Sequence, residues 1–373
     1  MSYTALARKY RPQTFASLFG QDGLVQTLTN AVEMQRLHHA FIFTGTRGVG
    51  KTTTARIMAL SLNCIGEDGQ GKETITPCLK CKNCTDILAF RHPDIIEIDA
   101  ASNTGVDFAR EIIDSSKYPP MVARYKVYII DEVHMLSKAA FNALLKTLEE
   151  PQHFVKFIFA TTEFRKIPIT ISSRCQKFFL RNLSSEELVV NMKNILGAEG
   201  FKYQDEALEL IAKMARGSAR DSLSILDQVI SMSGGDILLS KVREIFSSGD
   251  DKFAEDVLIN VFSGDVAKAL ETSEIAMQAG ASVKTIIADM ADLITQAMEE
   301  LCLKSPNKSK IAQVLEGKKK LSVQVLDRIW QVLANAASYS NINETAILKA
   351  LVVRLSFTSN LPSVDEIVEA LVR

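Results

Sequence analysis

A glycine-rich stretch near the N-terminus carries residue types that bind nucleotide phosphates. Residues 45–52 read GTRGVGKT and match G-x-x-x-x-G-K-[ST] at every fixed position. In such a loop, backbone N–H groups and the N-terminus of the following helix face the phosphates. Lys51 would reach the β- and γ-phosphates, and the Thr52 hydroxyl would ligate Mg²⁺. The residues predicted to hold the nucleotide here are Gly45, Thr46, Arg47, Gly48, Val49, Gly50, Lys51, Thr52 and Thr53.

Two adjacent carboxylates, Asp131 and Glu132, follow the apolar segment 127–130. If this segment is a buried strand, Asp131 lies at its carboxyl end, where the carboxylate can complete the Mg²⁺ shell. Glu132 is then placed to polarise the attacking water as a general base. An acidic cap on the following helix is the alternative, but the shared region with the glycine-rich loop favours hydrolysis. We expect His134 to be structural.

Four of the six cysteines lie close together in the sequence: Cys64, Cys78, Cys81 and Cys84. Their spacing, C-x13-C-x2-C-x2-C, suits tetrahedral Zn²⁺. The polar, glycine-containing stretch 67–76 cannot build a core of its own, so a metal would order it. Four thiolates leave no open position, which predicts a structural site, with a redox disulfide as the minor alternative. We expect Cys175 and Cys302 to be ordinary buried thiols.

Composition and charge bound the class of protein. The chain has 373 residues, with 43 Lys+Arg against 44 Asp+Glu and 47% hydrophobic residues. These values favour folded domains over disorder and exclude a nucleic-acid binder that acts through bulk positive charge. Residues 1–10 show no signal-peptide pattern, and no apolar run has the roughly 18 residues of a membrane span. We therefore expect a cytoplasmic protein without a membrane partner.

The first part of the chain, residues 1–181, alternates short apolar runs with amphipathic stretches. This alternation predicts an α/β domain with a parallel sheet that helices cover on both faces, and the cysteine cluster at 64–84 is an insertion in it. The segments predicted to be strands buried on both faces are 41–44, 95–98, 127–130 and 157–160.

From residue 182 onwards the pattern is helical, so the predicted fold class is α/β plus all-α. Ser184 and Glu187 form a capping box that starts the first helix. We expect a small helical domain over 182–246 and a larger one over 247–373, without strands. Glycine-rich or polar breaks separate the helices at 197–200, 233–235 and 247–249. We expect the basic runs 304–310 and 318–320 to be solvated surface.

Three further features are weak when each is taken alone. Thr161 and Thr162 follow the predicted strand at 157–160, where a polar side chain could sense a γ-phosphate or water. Arg174 lies in Ser-Arg-Cys and Arg220 in Gly-Ser-Ala-Arg-Asp, and either could supply a positive charge. A surface salt bridge is the competing interpretation of each arginine.

Taken together, the order of these motifs resembles that of the AAA+ clamp-loader ATPases. The order is the phosphate-binding loop, the four-cysteine insertion, DEVH, SRC and GSARD. Residues 6–15 (LARKYRPQTF) and 141–151 (FNALLKTLEEP) are similar to the bacterial γ/τ branch of that family. The resemblance extends over about residues 1–245. It implies an AAA+ P-loop core, a small helical lid and a C-terminal helical collar that holds subunits together.

The same resemblance implies roles for residues that the spacing alone leaves open. Arg174 would be an arginine finger that acts in trans on the ATP of a neighbouring subunit. Arg220 would be the lid arginine that reads the γ-phosphate in cis, and Thr162 would be the sensor residue. The residues that would line the adenine side of the pocket are Arg8, Tyr10, Arg11 and Pro12.

The implied assembly contains further copies of this chain with δ and δ′ subunits. It would open the ring-shaped sliding clamp (β) and place it on primer–template DNA, using ATP, Mg²⁺ and a structural Zn²⁺. Arg110 and Lys146 would contact the DNA backbone independently of sequence, whereas Asn103 and Gly105 lie where some relatives are expected to be basic. We find no polymerase active site in the sequence, so nucleotidyl transfer would belong to a partner.

Two other classes of function compete with this interpretation. Another AAA+ enzyme, such as a branch-migration helicase or a recombination-linked ATPase, is disfavoured by the SRC motif and the four-cysteine insertion. A scaffold that binds ATP without turnover is disfavoured by the complete set of Lys51, Thr52, Asp131 and Glu132.

Overall fold

The computed structural model describes residues 3–246, 250–303, 309–316, 323–336 and 343–359. The chain divides into two compact units, residues 1–242 and residues 243–373. The predicted break at 247–249 and most of the predicted basic runs, 304–308 and 318–320, lie outside the described residues. Within the described part, no helix combines the length and the apolar character that crossing a membrane requires.

The first unit combines parallel strands with helices. Its strands are β1 (Ala40–Thr44), β2 (Ile95–Asp99), β3 (Lys126–Asp131), β4 (Val155–Thr161), β5 (Gln176–Phe179), β6 (Lys202–Tyr203) and β7 (Asp236–Ile237). Its helices are α1 (Leu6–Lys9), α2 (Asp22–Glu33), α3 (Lys51–Asn63), α4 (Lys82–Leu88), α5 (Val106–Ser116), α6 (Lys138–Glu149), α7 (Ile169–Ser172), α8 (Ser185–Glu199), α9 (Asp205–Met214), α10 (Ala219–Ser233) and α11 (Leu239–Phe246), the last of which continues past residue 242. Short 3₁₀ helices cover Phe15–Ser17, Val133–Met135 and Phe164–Lys166.

The main sheet is parallel throughout and has the strand order β2-β3-β4-β1-β5. Its register places Thr44 beside Thr161 and Asp99 beside Asp131, so β1, β2, β3 and β4 end at one edge. All four predicted strands form, and the predicted parallel α/β sheet is confirmed. The sequence analysis missed β5, a four-residue strand at the edge.

Helices cover both faces of this sheet. On one face, Phe41 and Ile129 pack with Ile57 of α3 and Leu28 of α2. On the other face, residues of alternate parity, such as Ile42, Ile130 and Phe159, pack with residues of α5 and α6. β1 and β4 are buried along their whole length, as predicted for central strands.

The prediction that 95–98 is buried on both faces is wrong. β2 is an edge strand, and its Glu97 is exposed. The carboxylate of Glu97 accepts from Arg56 Nε at 2.7 Å, an ion pair that lies across the face of the edge strand. The apolar residues of this strand pack on both faces: Ile95 contacts the cysteine insertion and α3, and Ile96 and Ile98 pack with residues of α5 and α6.

The helical part of the first unit begins as the sequence predicts. Ser184 Oγ accepts from Glu187 N at 3.2 Å, and Glu187 Oε2 accepts from Ser184 N at 2.8 Å, which completes the capping box before α8. The Arg181 guanidinium beside Glu187 lowers the pKa of that carboxyl to about 2. The expectation of no strand is wrong here, because β6 and β7 form a two-residue parallel pair between the helices.

The second unit is helical in its described residues. Its helices are α12 (Asp250–Ser263), α13 (Val266–Gln278), α14 (Val283–Cys302), α15 (Lys310–Glu316), α16 (Val323–Ala336) and α17 (Glu344–Ser359). They share one apolar core, to which α14 contributes Ile286 and Ile294 and α17 contributes Leu355. The predicted all-helical character of this region is confirmed. Lys310 is exposed and donates to Glu255 at 2.9 Å, as expected for solvated surface.

A buried carboxylate, Asp94, fixes the chain just before β3. Asp94 is fully buried, and its two oxygens accept from the backbone N–H groups of Met121 (2.7 Å), Val122 (2.8 Å) and Ala123 (2.8 Å). Burial opposes the charge, but these three donors outweigh burial and hold the pKa of Asp94 below its usual value. The ionised carboxylate therefore anchors the turn that leads into the strand carrying Asp131.

We expect Asp94→Asn to lower the free energy of unfolding of the first unit at pH 7 by about 2–4 kcal/mol, because the amide cannot accept from all three donors. Since the folded-state pKa of Asp94 is depressed, its contribution is complete above the unfolded value of about 3.9 and is lost as the pH falls through the folded value. Urea denaturation at several pH values checks this, with the exposed Asp114→Asn as the control. A difference between Asp94→Asn and wild type that stays constant from pH 7 to pH 3 would contradict it.

Candidate nucleotide site and metal centre

The glycine-rich loop connects β1 to α3, which begins at Lys51. Its backbone is left-handed at Gly48 (φ 78°) and at Gly50 (φ 106°), the N-cap of α3. A Cβ atom on residue 48 would lie 1.9 Å from Ser218 Oγ. Both the backbone conformation and the space therefore require glycine at position 48.

Lys51 is only 6% exposed and lies along the loop. Its Nζ donates to the carbonyl oxygens of Gly45 at 3.0 Å and Thr46 at 2.9 Å. Burial lowers the pKa of Lys51, and the carboxylates of Glu132 and Asp131 oppose this change. The ammonium group is thus held within the loop. Of the other predicted loop residues, Val49 and Thr53 are buried, whereas Thr46 and Arg47 are exposed.

The two predicted Mg²⁺ ligands are in direct contact. Thr52 Oγ1 donates to Asp131 Oδ2 at 2.6 Å, although the two residues are 79 positions apart. The parallel register brings them together, because α3 starts beyond the end of β1 and Asp131 ends β3. A hydroxyl and a carboxylate in contact beside a buried lysine fit the oxygen ligands that Mg²⁺ takes in P-loop proteins.

Glu132 lies beside the predicted sensor residue. Its backbone is left-handed (φ 45°), a conformation that non-glycine residues rarely adopt and that occurs at functional sites. Glu132 Oε2 accepts from Thr162 N at 3.3 Å and from Thr162 Oγ1 at 3.1 Å. The structure therefore brings Lys51, Thr52, Asp131, Glu132 and Thr162 to one edge of the sheet.

His134 also contacts this group, although the sequence analysis assigned it a structural role. Its Nδ1 lies 3.0 Å from Thr161 Oγ1 and 3.4 Å from Glu132 Oε2, and its Nε2 lies 3.5 Å from Glu163 Oε1. The signal available in the sequence was its position two residues after Glu132, where a one-turn 3₁₀ helix brings the ring back.

The N-terminal segment joins the helical part of this unit to α3. Tyr10 Oη donates to Glu199 Oε1 at 2.6 Å, and Leu6 N donates to Asp227 Oδ2 at 3.1 Å. Arg11 Nε donates to Thr53 Oγ1 at 2.9 Å. Of the predicted adenine-side residues, Tyr10, Arg11 and Pro12 are half-buried and Arg8 is exposed.

Arg220 lies at the start of α10, directly against the glycine-rich loop. Its backbone N donates to Gly48 O at 3.3 Å, and its side chain is exposed. Ser218 caps this helix by accepting from Asp221 N at 3.1 Å. The cap and the first turn of α10 thus place Arg220 beside the predicted phosphate position.

Arg174 lies elsewhere, at the end of the sheet where the parallel strands begin. It precedes β5, which pairs with β1 in parallel so that Gln176 lies beside Phe41, at the amino end of β1. The glycine-rich loop follows the carboxyl end of β1. The guanidinium of Arg174 donates to Glu149 Oε1 and Thr170 O, each at 2.5 Å, and does not join the cluster around Lys51.

The two predicted DNA-contacting residues lie on neighbouring helices. Arg110 is on α5 and Lys146 on α6, the two helices pack together, and both side chains are exposed. Arg110 forms an exposed ion pair with Asp107 at 2.9 Å. Asn103, just before α5, donates to Asp99 O at 3.1 Å.

The four predicted metal ligands converge. The Sγ atoms of Cys64, Cys78, Cys81 and Cys84 all lie within 4.8 Å of one another, and all four are free thiols. Tetrahedral zinc, with Zn–S bonds of about 2.3 Å, needs sulfur atoms about 3.8 Å apart, so the cluster is close to that geometry.

Backbone donors support the sulfur atoms. Cys64 Sγ accepts from Cys78 N at 3.3 Å, and Cys78 Sγ accepts from Cys81 N at 3.3 Å. Burial works against the Cys78 thiolate, but the N–H groups of Cys81 and Lys80 outweigh it and lower the pKa of Cys78 to about 7. Burial raises the pKa of Cys84 and Cys64. Four converging thiols with backbone donors aimed at their sulfur atoms fit a cation that would hold them as thiolates.

The cysteine cluster is attached to the two elements that carry the nucleotide site. Cys64 is the C-cap of α3, and the Arg124 guanidinium donates to the carbonyl oxygens of Leu62 (2.5 Å), Cys64 (3.3 Å) and Gly71 (2.5 Å). Asn63 and Tyr125 exchange two hydrogen bonds of 3.0 and 2.8 Å. The far ends of α3 and β3 are thereby tied to each other.

The remaining cysteines behave differently from each other. Cys175 is buried, as expected, and burial raises its pKa to about 12. The expectation for Cys302 is wrong, because Cys302 is exposed at the C-terminal end of α14.

Profiles of three protein families match successive parts of the chain. Residues 20–184 match "DNA polymerase III, delta subunit", and residues 187–235 match "DNA polymerase III clamp loader subunit, ATPase lid domain". Residues 237–371 match "DNA polymerase III subunits gamma and tau domain III".

The parallel sheet, its phosphate-binding loop and the adjoining helical lid define a P-loop ATPase fold of the AAA+ class. The chain is 39% identical to DNA polymerase III subunit gamma of Buchnera aphidicola subsp. Schizaphis graminum, over 88% of this chain and 92% of that one. The chain belongs to the family of DNA polymerase III gamma and tau subunits.

Longer members of the family also match. Identity is 39% to DNA polymerase III subunit tau/gamma of Haemophilus influenzae, over 98% of this chain and 53% of that one. It is 43% to subunit tau of Escherichia coli, over 79% of this chain and 45% of that one. The chain therefore spans about half the length of these two relatives.

We expect metal analysis of the purified chain to find one zinc per chain, because the four sulfur atoms lie within 4.8 Å of one another, close to the spacing around one zinc ion. Cys84→Ser should abolish metal retention and lower the melting temperature of the first unit. Cys302→Ser, at an exposed cysteine, is the matched control and should retain the zinc. A metal-free wild-type chain that melts like the zinc-loaded one would contradict the structural role.

Proposed function

We propose that this chain is the ATPase motor subunit of a bacterial DNA polymerase III clamp loader. ATP binding and hydrolysis would drive the loading of the sliding clamp onto primed DNA during replication. The observation that carries the proposal is the contact of Thr52 with Asp131, with Glu132 and Thr162 beside it, in a chain of the gamma and tau family. This set would supply two ligands for one Mg²⁺, a general base and a sensor residue, as a hydrolytic site requires.

In this proposal, each residue of the cluster acts on the nucleotide. The loop N–H groups and Lys51 bind the β- and γ-phosphates, and Thr52 and Asp131 hold the Mg²⁺. When bound, Mg²⁺ supplies positive charge that stabilises the transferred phosphoryl group. Arg11 and Tyr10 close the adenine side, where their hydrogen bonds to Thr53 and Glu199 already tie the N-terminal segment to α3 and to the lid.

Glu132 then acts as the general base. It is half-buried, close to the ammonium of Lys51, and hydrogen-bonded to Thr162, so its carboxylate has a defined orientation. Accepting a proton from the attacking water would make that water a better nucleophile. Thr162, which donates to the same carboxylate, senses the γ-phosphate and the water in this scheme, and Arg220 senses the phosphate from the lid.

Arg174 would complete the site of a neighbouring subunit. The sheet separates it from the loop of its own chain, because it precedes β5 at the amino edge while the loop follows the carboxyl edge of β1. In this proposal the guanidinium, which contacts Glu149 and Thr170 within its own chain, would reach the nucleotide of another subunit. The neighbours would be further copies of this chain together with δ and δ′ subunits.

DNA would bind without sequence readout. Arg110 and Lys146 lie exposed on two packed helices, so their charges can contact backbone phosphates of a primer–template. In this proposal two basic residues make the contact, because a chain with a formal net charge of −1 has no bulk positive charge to add to it. Its affinity should therefore fall with salt with a shallow slope.

The domain roles follow from the same proposal. Residues 1–181 would form the AAA+ nucleotide-binding domain with its zinc insertion, 182–246 the lid, and 247–373 the collar that holds subunits together. The protein would act in the bacterial cytoplasm, and the zinc would be structural.

The decisive measurement is steady-state ATP hydrolysis by the chain mixed with δ, δ′ and the sliding clamp, with and without primed DNA. We expect clamp and primed DNA to stimulate the rate. Lys51→Ala should abolish nucleotide binding and the stimulated rate, because it removes the buried ammonium group that the loop offers to the phosphates. Two results would refute the proposal: a rate of ATP hydrolysis that does not change when clamp and primed DNA are added, or an ATP affinity of Lys51→Ala that equals that of wild type.

For the trans site, we expect Arg174→Ala to leave ATP binding unchanged and to lower turnover in the assembled complex by about 10³-fold. Glu149→Gln, which removes the charge of one partner of Arg174 within its own chain, should retain most of the rate. Arg165→Ala, at an exposed arginine of the first unit, is the control. Turnover of Arg174→Ala that equals wild type in the complex would show that the finger lies elsewhere.

A further inference from the structure

One nearly buried histidine beside the nucleotide site has no part in the function proposed above. The side chain of His134 is 7% exposed, while that of Glu132 beside it is 32% exposed. His134 lies in the 3₁₀ helix Val133–Met135 that follows β3, so its ring lies against the end of β4. An imidazole is rarely buried against two carboxylates without a role for its ring nitrogens.

The two ring nitrogens face different partners. Nδ1 lies 3.0 Å from Thr161 Oγ1 and 3.4 Å from Glu132 Oε2, so one nitrogen lies between a hydroxyl and the proposed base. Nε2 lies 3.5 Å from Glu163 Oε1, and that carboxylate is paired with Lys166 at 2.7 Å. The ring therefore spans the space between Glu132 and the segment that carries the sensor residue.

Thr161 fixes the place of the ring. It is fully buried, its Oγ1 accepts from Glu163 N at 3.0 Å, and its carbonyl oxygen accepts from Gly45 N at 3.3 Å. The residue that supports the imidazole thus also holds the first residue of the phosphate-binding loop. A change in the position of Thr161 would move both.

Glu132 needs such support. Its backbone is in the left-handed region, its side chain is a third exposed, and its contacts with Thr162 and His134 converge on one oxygen, Oε2. A general base that rotates toward solvent loses the alignment on which its rate depends, and a misplacement of about 1 Å can cost about 10²-fold.

We propose that His134 is a positioning residue for ATP hydrolysis. Through Nδ1 it holds the Glu132 carboxylate against the Thr161–Thr162 segment, so that the base, the sensor and the phosphate-binding loop keep one fixed arrangement. His134 itself touches neither nucleotide nor water in this scheme. The proposal rests on the hydrolytic function proposed for the site.

Two conservative variants separate the two ring nitrogens. The amide nitrogen of asparagine can occupy the place of Nδ1 and donate to Thr161 and Glu132, whereas that of glutamine occupies the place of Nε2 and reaches Glu163. We expect His134→Asn to keep kcat within a few-fold of wild type. His134→Gln and His134→Ala should lower kcat by about 10²-fold with KM and ATP affinity unchanged.

The measurement is ATP hydrolysis under single-turnover and steady-state conditions with the full chain in complex with δ, δ′, clamp and primed DNA. Thermal unfolding of each variant accompanies it, because a merely structural histidine would lower the melting temperature and leave kcat of the folded fraction unchanged. That pattern, or equal kcat for His134→Asn and His134→Gln, would overturn the positioning role. If His134→Ala does not fold, the Asn and Gln pair decides alone.

The same assay distinguishes a failure of this inference from a failure of the proposed function on which it rests. If wild type hydrolyses ATP and all three variants have the same kcat as wild type, the role of His134 is refuted and the ATPase function is retained. Wild type that hydrolyses no ATP under any of these conditions refutes the ATPase, and the role of His134 with it.

Discussion

The contact between the Thr52 hydroxyl and the Asp131 carboxylate depends on the parallel sheet, and the rest of the site depends on that contact. β1, β3 and β4 run in one direction and end at one edge, so whatever follows each strand meets its counterparts there. The glycine-rich loop follows β1, Asp131 ends β3, and Thr162, the proposed sensor, follows β4. Carboxyl ends of parallel strands are where ligands bind in open α/β sheets, because loops and helix N-termini converge there.

The cysteine cluster lies at the other end of the same elements. α3 carries the phosphate-binding loop at its first turn and Cys64 at its C-cap, and β3 carries Asp131 at its end and adjoins Arg124 at its start. Carbonyl groups at the end of a helix need donors, and the Arg124 guanidinium supplies them while also holding the polar insertion. A segment with too few apolar residues for a core is thus attached to the framework by hydrogen bonds and by a cluster suited to metal.

Polar contacts link the lid to the phosphate-binding loop in the first unit. Ser218 leaves no room for a side chain at Gly48, and the first turn of α10 donates to the loop through its backbone. The N-terminal segment contacts the lid through Tyr10, and it contacts α3, which follows the loop, through Arg11. In the proposed function, a nucleotide in the loop would touch all three parts, so its binding would be able to fix their arrangement.

The sequence by itself determined the elements whose signals are local. Apolar runs bounded by turn residues marked β1, β3 and β4, the capping box marked the start of α8, and motif spacing named Lys51, Asp131 and the four cysteines. Tertiary structure decided which positions are edges and which side chains meet. β2 lies at the edge and is half-exposed, β5 was too short to stand out, and His134 turned toward Glu132 because a 3₁₀ turn follows the strand. Strand order and ring orientation depend on contacts between residues far apart in the chain, and no local pattern encodes these.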